Sequence, residues 1–415
     1  MRVIYLHQYF NTPDMTGGTR SFEIGRRLVA AGHRVEMITS WQEPSADKGW
    51  FTTEAGGMRV HWMPVAYSND MSYQSRVRAF ATFARGAARR AAELDGDIVF
   101  ATSTPLTISL PAVYTARRKR IPMVFEVRDL WPQLPIAMGA LRNPVTRWAA
   151  RWLEHFSYSN AARVIALSPD MATGIARTGY PRDRIAVVPN GSDLDFFRRD
   201  TERGRAFRLA AGIADDKIVV AYTGTLGRIN GVGYLARLAA SLNGDGRFVF
   251  LTVGDGHERE HIRQLARELS VLDKNFLMLP SVVKTEMPAV LSGVDVATSL
   301  FLPIPEMEAN SANKFFDALA AGCCVVINYG GWQAELLQEG GAGVRLSSDP
   351  VEGARDLQTL ASDPRRIVAA GRNARELAER RFSRDDLAAQ VEGILVQAVN
   401  EAGQPPARRA VRWGL

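Results

Sequence analysis

Thirteen short β-branched runs, separated by helical patterns and arranged in two successive sets, constrain this chain more than any other feature. The first set reads Arg2–His7, Arg34–Thr39, Met58–Pro64, Asp97–Ser103, Pro122–Val127, Arg163–Leu167 and Ile185–Pro189. The second reads Ile218–Gly224, Arg247–Gly254, Asn275–Pro280, Asp295–Phe301, Cys323–Asn328 and Gly343–Leu346. Strands that alternate with helices form βαβ units and parallel sheets, so each set predicts a Rossmann-like α/β domain. A chain of 415 residues also exceeds what one hydrophobic core supports. The stretch Asn190–Asp216 breaks the periodicity with turn residues and mixed charge. It predicts domains over 1–195 and 196–384, followed by a helix and basic tail over 385–415. Right-handed crossovers bring the carboxyl ends of the strands to a crevice, where such sheets bind ligands.

Within the second set, Asn310 to Gly331 reads NSANKFFDALAAGCCVVINYGG. Asn310 and Ser311 offer cap side chains to a helix over Asn313–Ala321, and Gly322 supplies its left-handed stop. Cys323–Asn328 is a buried strand, broken by Gly330 and Gly331 before a second helix over Gln333–Gln338. A polar loop feeding a helix N-terminus presents unpaired N–H groups and a positive dipole end to an anion. Lys314 adds a charge in that first turn which a helix alone disfavours. Asp317, one turn along, can accept hydrogen bonds from a sugar diol. Together these residues read as a nucleotide-sugar site.

Two more glycine-punctuated loops support an anionic ligand. Tyr222-Thr223-Gly224-Thr225-Leu226-Gly227-Arg228-Ile229-Asn230-Gly231 leaves a strand and can form a nest of N–H groups for a diphosphate, with Arg228 as counter-charge. Val253-Gly254-Asp255-Gly256 turns from a strand into a helix in the same way. In the first set, Gly17 and Gly18 precede the helix Arg20–Ala31 and let the backbone approach a phosphate or sugar, with Arg20 assisting, or else form a plain tight turn. Glu126-Val127-Arg128-Asp129 ends a strand, so Glu126 and Asp129 face the crevice as candidates for the acceptor side; the alternative is an internal salt bridge to Arg128.

Net charge is +7 and the sequence pI about 9.6, which favours nucleotides, nucleic acid or an anionic membrane surface as partners. Interleaved basic and aromatic strand positions are missing, so nucleic acid is not expected. No run reaches the roughly 18 apolar residues of a membrane span, and MRVIYLHQYF is too polar for a signal peptide. Cys323 and Cys324 are adjacent and build no disulfide framework, which fits a cytoplasmic site. Two segments combine apolar and basic residues. Over residues 73–95, Val77, Phe80, Ala84, Ala87, Ala91 and Leu94 form a stripe among Arg76, Arg78, Arg85, Arg89 and Arg90. The helix begun by Asn143-Pro144 carries Trp148 and Trp152 beside Arg147 and Arg151. Both segments read either as sheet-packing helices or as peripheral contacts to the inner face of the plasma membrane.

His257-Glu258-Arg259-Glu260-His261 matches a zinc-protease pattern, with both histidines on one helical face. It opens a helix after a parallel strand and has no evident third ligand, so no metal is expected. Asp193-Leu194-Asp195 falls in the turn-rich linker and is not read as a metal site.

Taken in order, GGTRSFEIGRRLVAAGHRVEMIT, EVRDLWP, ALSPDM, VVPNGSDLDFF and SANKFFDALAAGCCVVIN resemble the GT-B glycosyltransferases of glycosyltransferase family 4, close to a bacterial surface-polysaccharide, L-fucosamine-transferase-like branch. The resemblance implies two Rossmann-like domains facing a central cleft, with the last helix crossing back to the first domain. It implies a retaining, metal-independent enzyme of hexosyl or N-acetylhexosaminyl type, using a nucleotide-sugar, chiefly a UDP-sugar, and a glycan or polyprenyl-linked acceptor. Cofactors are then none. Gly17 and Gly18 would lie by the donor phosphates and sugar, and Gly224–Gly231 would hold the diphosphate. Asn313 and Lys314 would lie near the donor, Asp317 would bind the ribose, and Glu335 would border the pocket. The chain departs from the family pattern at Ala309, whose acidic role is lost or passes to Glu306 or Glu308. It departs again at Thr225 and Asn230, where an Arg and a Lys are common, leaving Arg228 and Lys314 as the cations. Those two would stabilise the leaving diphosphate, and domain closure would exclude water. The altered acid also motivates another reading, a catalytically degenerate nucleotide-binding or scaffold protein.

Overall fold

A computed structural model describes residues 1–15, 17–43, 49–66, 71 and 73–403, without the side chains of residues 73 and 74. Of the basic tail that starts at Ala402, residues 404–415 lie outside that set. The chain forms two compact units, Met1–Val188 with the residues from Ala388 onward, and Pro189–Leu387.

Unit 1 holds strands β1 (Arg2–Leu6), β2 (Arg34–Trp41), β3 (Phe51–Ala55), β4 (Met58–Pro64), β5 (Ile98–Thr102), β6 (Met123–Val127), β7 (Arg163–Ala166) and β8 (Ile185–Val187). Its helices are α1 (Arg20–Ala30), α2 (Tyr73–Glu93), α3 (Ser109–Lys119), α4 (Gln133–Ala137), α5 (Pro144–Ser159) and α6 (Pro169–Ala176). The sheet order is β3-β4-β2-β1-β5-β6-β7-β8, parallel except for β3. The rightward steps from β4 through β8 place α2, α3, α5 and α6 on one face, and the leftward step from β1 to β2 places α1 on the other. β3 is the one strand that apolar patterning misses, because FTTEA is polar and mostly exposed. It is held by a two-residue Gly56-Gly57 hairpin, both glycines at positive φ, which sets Ala55 opposite Met58.

Unit 2 holds β9 (Ile218–Thr223), β10 (Phe248–Val253), β11 (Phe276–Leu279), β12 (Val296–Ser299), β13 (Cys324–Ile327) and β14 (Gly343–Arg345), all parallel in the order β11-β10-β9-β12-β13-β14. Its helices are α7 (Thr201–Ala210), α8 (Gly233–Ser241), α9 (Arg259–Glu268), α10 (Met287–Ser292), α11 (Asn313–Ala320), α12 (Trp332–Gly340), α13 (Pro350–Leu360) and α14 (Pro364–Arg381). The last helix, α15 (Arg384–Gly403), ends the described chain, and in unit 1 its Glu392 meets His33 Nε2 at 2.7 Å. Buried Tyr222, Leu235, Phe250, Phe276 and Leu357 form the core around β9 and β10.

Unit 2 begins at Pro189, ahead of the boundary at 195 that the turn residues predict. Hydrogen bonds explain the shift. Asn190 N donates to Ser311 Oγ at 3.1 Å, Ser192 N to the Phe382 carbonyl at 3.0 Å, and Asp193 pairs with Arg384. The turn-rich segment is therefore an integral edge of the second unit.

Two site expectations in unit 1 are corrected by packing. Arg20, at the start of α1, donates from Nε and Nη2 to Glu126 Oε1 at 3.0 and 2.9 Å, and from Nη2 to the Val188 carbonyl at 2.9 Å. Thr102 Oγ1 donates to Glu126 Oε2 at 3.0 Å, and both charged side chains are buried. The pair ties α1 to β5, β6 and the end of β8. Arg20 is thus committed to a carboxylate instead of a donor phosphate, and Glu126 is sealed from any acceptor hydroxyl. Removing one partner of a buried ion pair leaves the other uncompensated. Arg20→Ala is expected to lower unfolding free energy by about 3–5 kcal/mol in denaturant titration. Wild-type stability of that variant would contradict the structural role.

Candidate functional site

The loops after β9, β10 and β12 gather at the carboxyl edge of the second sheet, where Lys314 from the first turn of α11 reaches across to β9. Lys314 Nζ donates to Tyr222 Oη at 2.5 Å and to Asn230 Oδ1 at 3.2 Å. It also lies 4.2 Å from the Tyr222 ring centroid and 5.7 Å from that of Phe301. Among the described residues it has no carboxylate partner. Burial pushes its pKa down to about 7. The ammonium is held by a hydroxyl, an amide oxygen and two aromatic faces, all of which leave its charge uncancelled.

The same two polar side chains fix the loop beneath it. Tyr222 Oη donates to the Thr225 carbonyl at 2.8 Å, and Asn230 Nδ2 donates to that carbonyl at 3.0 Å. With the carbonyl turned to these donors, the N–H groups of Thr225, Gly227 and Arg228 make no hydrogen bond with the described residues. The exposed Arg228 guanidinium likewise has no partner among them. Gly224 adopts φ +128°, which L residues rarely do, and lies against the lysine stem, since a Cβ there would be 3.4 Å from Lys314 Cε, an ordinary contact. The next loop packs directly underneath, since a Cβ on Gly254 would sit 2.0 Å from the Gly224 oxygen. Gly254 is therefore a close-approach glycine, with no donor N–H role required of it. Asn230 stands where the family resemblance expects a lysine, and its amide instead receives the ammonium of Lys314.

The approach to α11 differs from the expected cap. Ala312 is the N-cap residue; Asn310 Oδ1 accepts from Ala312 N at 3.2 Å, and Ser311 Oγ accepts from Asn190. Neither side chain caps the helix. The N–H groups of Asn313 and Lys314 consequently stay without partners among the described residues, adding to the positive end of α11. Asn328 holds the preceding loop by exchanging hydrogen bonds with both backbone groups of Phe301, at 3.0 and 2.9 Å.

Among the described residues none of the acidic candidates forms an ion pair or hydrogen bond with Lys314. Asp317 is half-buried and accepts from Ser192 Oγ at 2.7 Å; burial pushes its carboxyl up while Arg384 opposes the shift. Its second oxygen takes no hydrogen bond from the described residues. Glu308 is exposed on the turn Pro305–Ala309, and its carboxylate lies over Gly330, where a Cβ would be 2.7 Å from Oε1. Glu335 is exposed in the first turn of α12, and Glu306 is half-buried on the same turn as Glu308. Thr225 is exposed at the loop tip.

In unit 1, Gly17 is exposed at φ +133°, and a Cβ there would lie 2.4 Å from Asn11 Nδ2; Gly18 follows, half-buried, ahead of α1. Asp129 is half-buried beyond β6, its pKa raised by burial and opposed by Arg128. The sequence reading overlooks His7 and Gln8 at the end of β1. His7 Nδ1 and both polar atoms of the Gln8 side chain are buried without partners among the described residues. Burial, helped by the nearby Arg128 charge, keeps His7 neutral. Beside it, Ser103 Oγ at the end of β5 accepts from Arg128 N at 3.0 Å. Unpartnered buried polar groups cost about 1–3 kcal/mol each, which marks this strand end as a place for a polar ligand. The available signal was a His-Gln pair ending an apolar strand.

His257 precedes α9, which starts at Arg259, so it does not share a helical face with His261. Among the described residues no group of three His, Cys, Asp or Glu side chains is placed to hold a metal ion.

Comparison with known proteins bears on the family and the fold. Residues 16–191 match the glycosyl transferase 4-like domain, and residues 217–363 match the glycosyl transferases group 1 domain. The D-inositol 3-phosphate glycosyltransferase of Xylanimonas cellulosilytica is 24% identical over 391 residues, covering 91% of this chain and 90% of that protein. Its Nocardia farcinica counterpart is 26% identical over 272 residues, 63% of this chain and 58% of that protein. Two further curated relatives are matched over 30% and 47% of their length. Among solved structures, sucrose-phosphate synthase from Thermosynechococcus elongatus superposes with a TM-score of 0.78 at 16% identity, over 96% of this chain and 99% of that one. HepE of Anabaena, solved with UDP-glucose, gives 0.72 at 17% identity, over 96% and 100%. These likenesses show the two-domain GT-B fold.

An anion held by Lys314 would bind in a pH-dependent way. Burial lowers the lysine pKa to about 7, and a bound diphosphate would raise it by charge attraction. Binding therefore takes up a proton above neutrality. UDP affinity is expected to fall as pH rises from 7 toward 9, by at most about ten-fold per unit. Calorimetry at pH 8 in buffers of different ionisation enthalpy should register proton uptake that vanishes in Lys314→Met; equal uptake in both proteins would exclude Lys314 as its source.

Proposed function

The chain belongs to the GT-B glycosyltransferases, and we propose that it transfers a sugar from a UDP-linked donor, with retention and without a metal, to a glycan or polyprenyl-linked acceptor in surface-polysaccharide synthesis. The observation that carries this reading is the Lys314 ammonium, unneutralised over Tyr222 and next to three unpaired loop N–H groups. Charge builds on the departing diphosphate as the sugar–oxygen bond breaks. Prearranged donors at that position lower the barrier more than they favour the ground state. Lys314, Arg228 and the N-terminus of α11 supply in protein charge what a divalent cation supplies elsewhere. The diphosphate oxygen can take the acceptor's proton during front-face attack, so the mechanism needs no protein nucleophile. Asp317, with one oxygen unengaged, is assigned to the ribose hydroxyls.

Several structural neighbours support UDP as the base carrier: HepE of Anabaena is solved with UDP, with UDP and glucose, and with UDP-glucose. WaaG, a glycosyltransferase involved in lipopolysaccharide biosynthesis, superposes with a TM-score of 0.68 over 95% of this chain and supports a surface-glycan pathway. A lipid-linked acceptor would put the enzyme on the inner face of the plasma membrane. Ala309, buried where the family pattern expects an acid, favours a second reading as a degenerate nucleotide-binding scaffold.

UDP should raise the melting temperature of the purified protein equally with and without chelator. Lys314→Met should lower kcat for donor turnover by about 10²–10³-fold, the effect of deleting one preorganised charge-stabilising donor. Asp317→Ala should mainly raise the donor KM. UDP stabilisation without turnover of any UDP-sugar would select the scaffold reading, and loss of stabilisation on chelation would reject metal independence.

A further inference from the structure

The exposed layer of α3 and α5 in unit 1 is unlike an ordinary solvated surface. On α5, Val145, Trp148 and Trp152 are 70%, 68% and 52% exposed, and Trp152 stacks on Phe156 with ring centroids 5.3 Å apart. Their spacing of three, four and four residues makes one stripe along the helix. On α3, Leu110 and Tyr114 are 38% and 48% exposed. The two helices are neighbours on the same face of the sheet, and Arg117 Nη2 donates to Asn160 Oδ1 at 2.6 Å between their last turns. Two tryptophans that far out of a fold cost water contact unless something covers them.

Charge indicates what does. The helices α2, α3 and α5 carry ten Arg and Lys residues against two carboxylates, Glu93 and Glu154, and Glu154 is buried. Arg118 and Arg151 are exposed and have no ion-pair partner among the described residues. On α2 the sheet-facing side is taken by Ala84, Ala87 and Ala91, while Val77, Arg78, Arg85 and Arg89 point outward. No helix in the described residues is long and apolar enough to cross a membrane. Tryptophan and tyrosine ringed by arginines, with acids excluded, match the headgroup level of a bilayer carrying negative charge. A soluble acidic protein would satisfy the arginines and leave the α5 stripe wet.

We propose that α5, with α3 beside it, docks this protein on bilayers rich in anionic phospholipid, with Trp148 and Trp152 inserted at the headgroup level. The proposal deepens the lipid-linked acceptor reading given above and rests on it for the acceptor, but vesicle binding is measured with no substrate present.

The test is co-sedimentation of the full chain with vesicles of phosphatidylcholine alone or mixed with phosphatidylglycerol. The wild-type protein should pellet with the mixed vesicles, be released by salt, and stay in solution with phosphatidylcholine alone. Each basic residue at an anionic surface is worth about five-fold in partitioning, so Arg118→Ala/Arg151→Ala should weaken binding by at least ten-fold. Trp148→Ala/Trp152→Ala should weaken it comparably while keeping the melting temperature and the UDP-induced shift, which shows that the fold and donor site are intact. Absence of vesicle binding, equal binding to both vesicle types, or unaltered binding by both variants would overturn the proposal. So would a concentration-dependent dimer that the tryptophan variant abolishes, which would assign the face to a second copy. Vesicle binding with no glycosyl transfer would leave the surface standing and reject the transferase reading alone.

Discussion

A lysine without a carboxylate is the constraint on which the second unit turns. Taking an ammonium out of water is costly, and proteins usually recover that cost by pairing it with an acid. Here Lys314 leans on the Tyr222 ring and donates to Tyr222 Oη and Asn230 Oδ1. These contacts solvate the charge without cancelling it, and burial leaves the group with a pKa of about 7. At neutral pH the lysine therefore sits near the point where it gives up its proton. On the proposed reading, an arriving diphosphate would complete the coordination and restore full charge, so binding and charge stabilisation would come from one group.

Backbone contact positions that lysine. β9 lies between β10 and β12 in the sheet, so its loop meets the loops of both neighbours. Gly254 lets the β10 loop press on the Gly224 carbonyl, and Gly224, at φ +128°, in turn lies against the Lys314 stem. On the other side, Asn328 pins Phe301 and Trp332 Nε1 donates to the Asn310 carbonyl at 2.8 Å, fixing the entry to α11. A side chain added at Gly254 would displace the Gly224 backbone, which has less freedom to yield than a surface rotamer.

Much of this was legible from residues alone. All thirteen strands read from β-branched runs are present, because parallel strands buried on both faces leave continuous apolar runs in sequence. β3 escaped because an exposed edge strand carries no such run; Gly56-Gly57 was its only mark. The Lys314 loop and the Gly224–Gly231 loop could be picked out from glycine spacing and helix starts. What they do together could not, since Tyr222 and Asn230 look like an ordinary strand residue and an ordinary turn residue until Lys314 is laid against them. Arg20 and Glu126 failed for a related reason. Both are charged residues near strand ends, and only the fold shows that 106 positions of sequence separation close into one buried pair. Trp148 and Trp152 read equally well as core, and burial was needed to choose.

The most direct test of the central claim is a crystal structure of the protein with UDP bound. The diphosphate should lie within hydrogen-bonding reach of Lys314 Nζ and of the N–H groups of Thr225, Gly227 and Arg228, with Asp317 at the ribose. A diphosphate held elsewhere in unit 2, such as the arginine-lined crevice of Arg198 and Arg372 behind α11, with Lys314 still donating only to Tyr222 and Asn230, would contradict it.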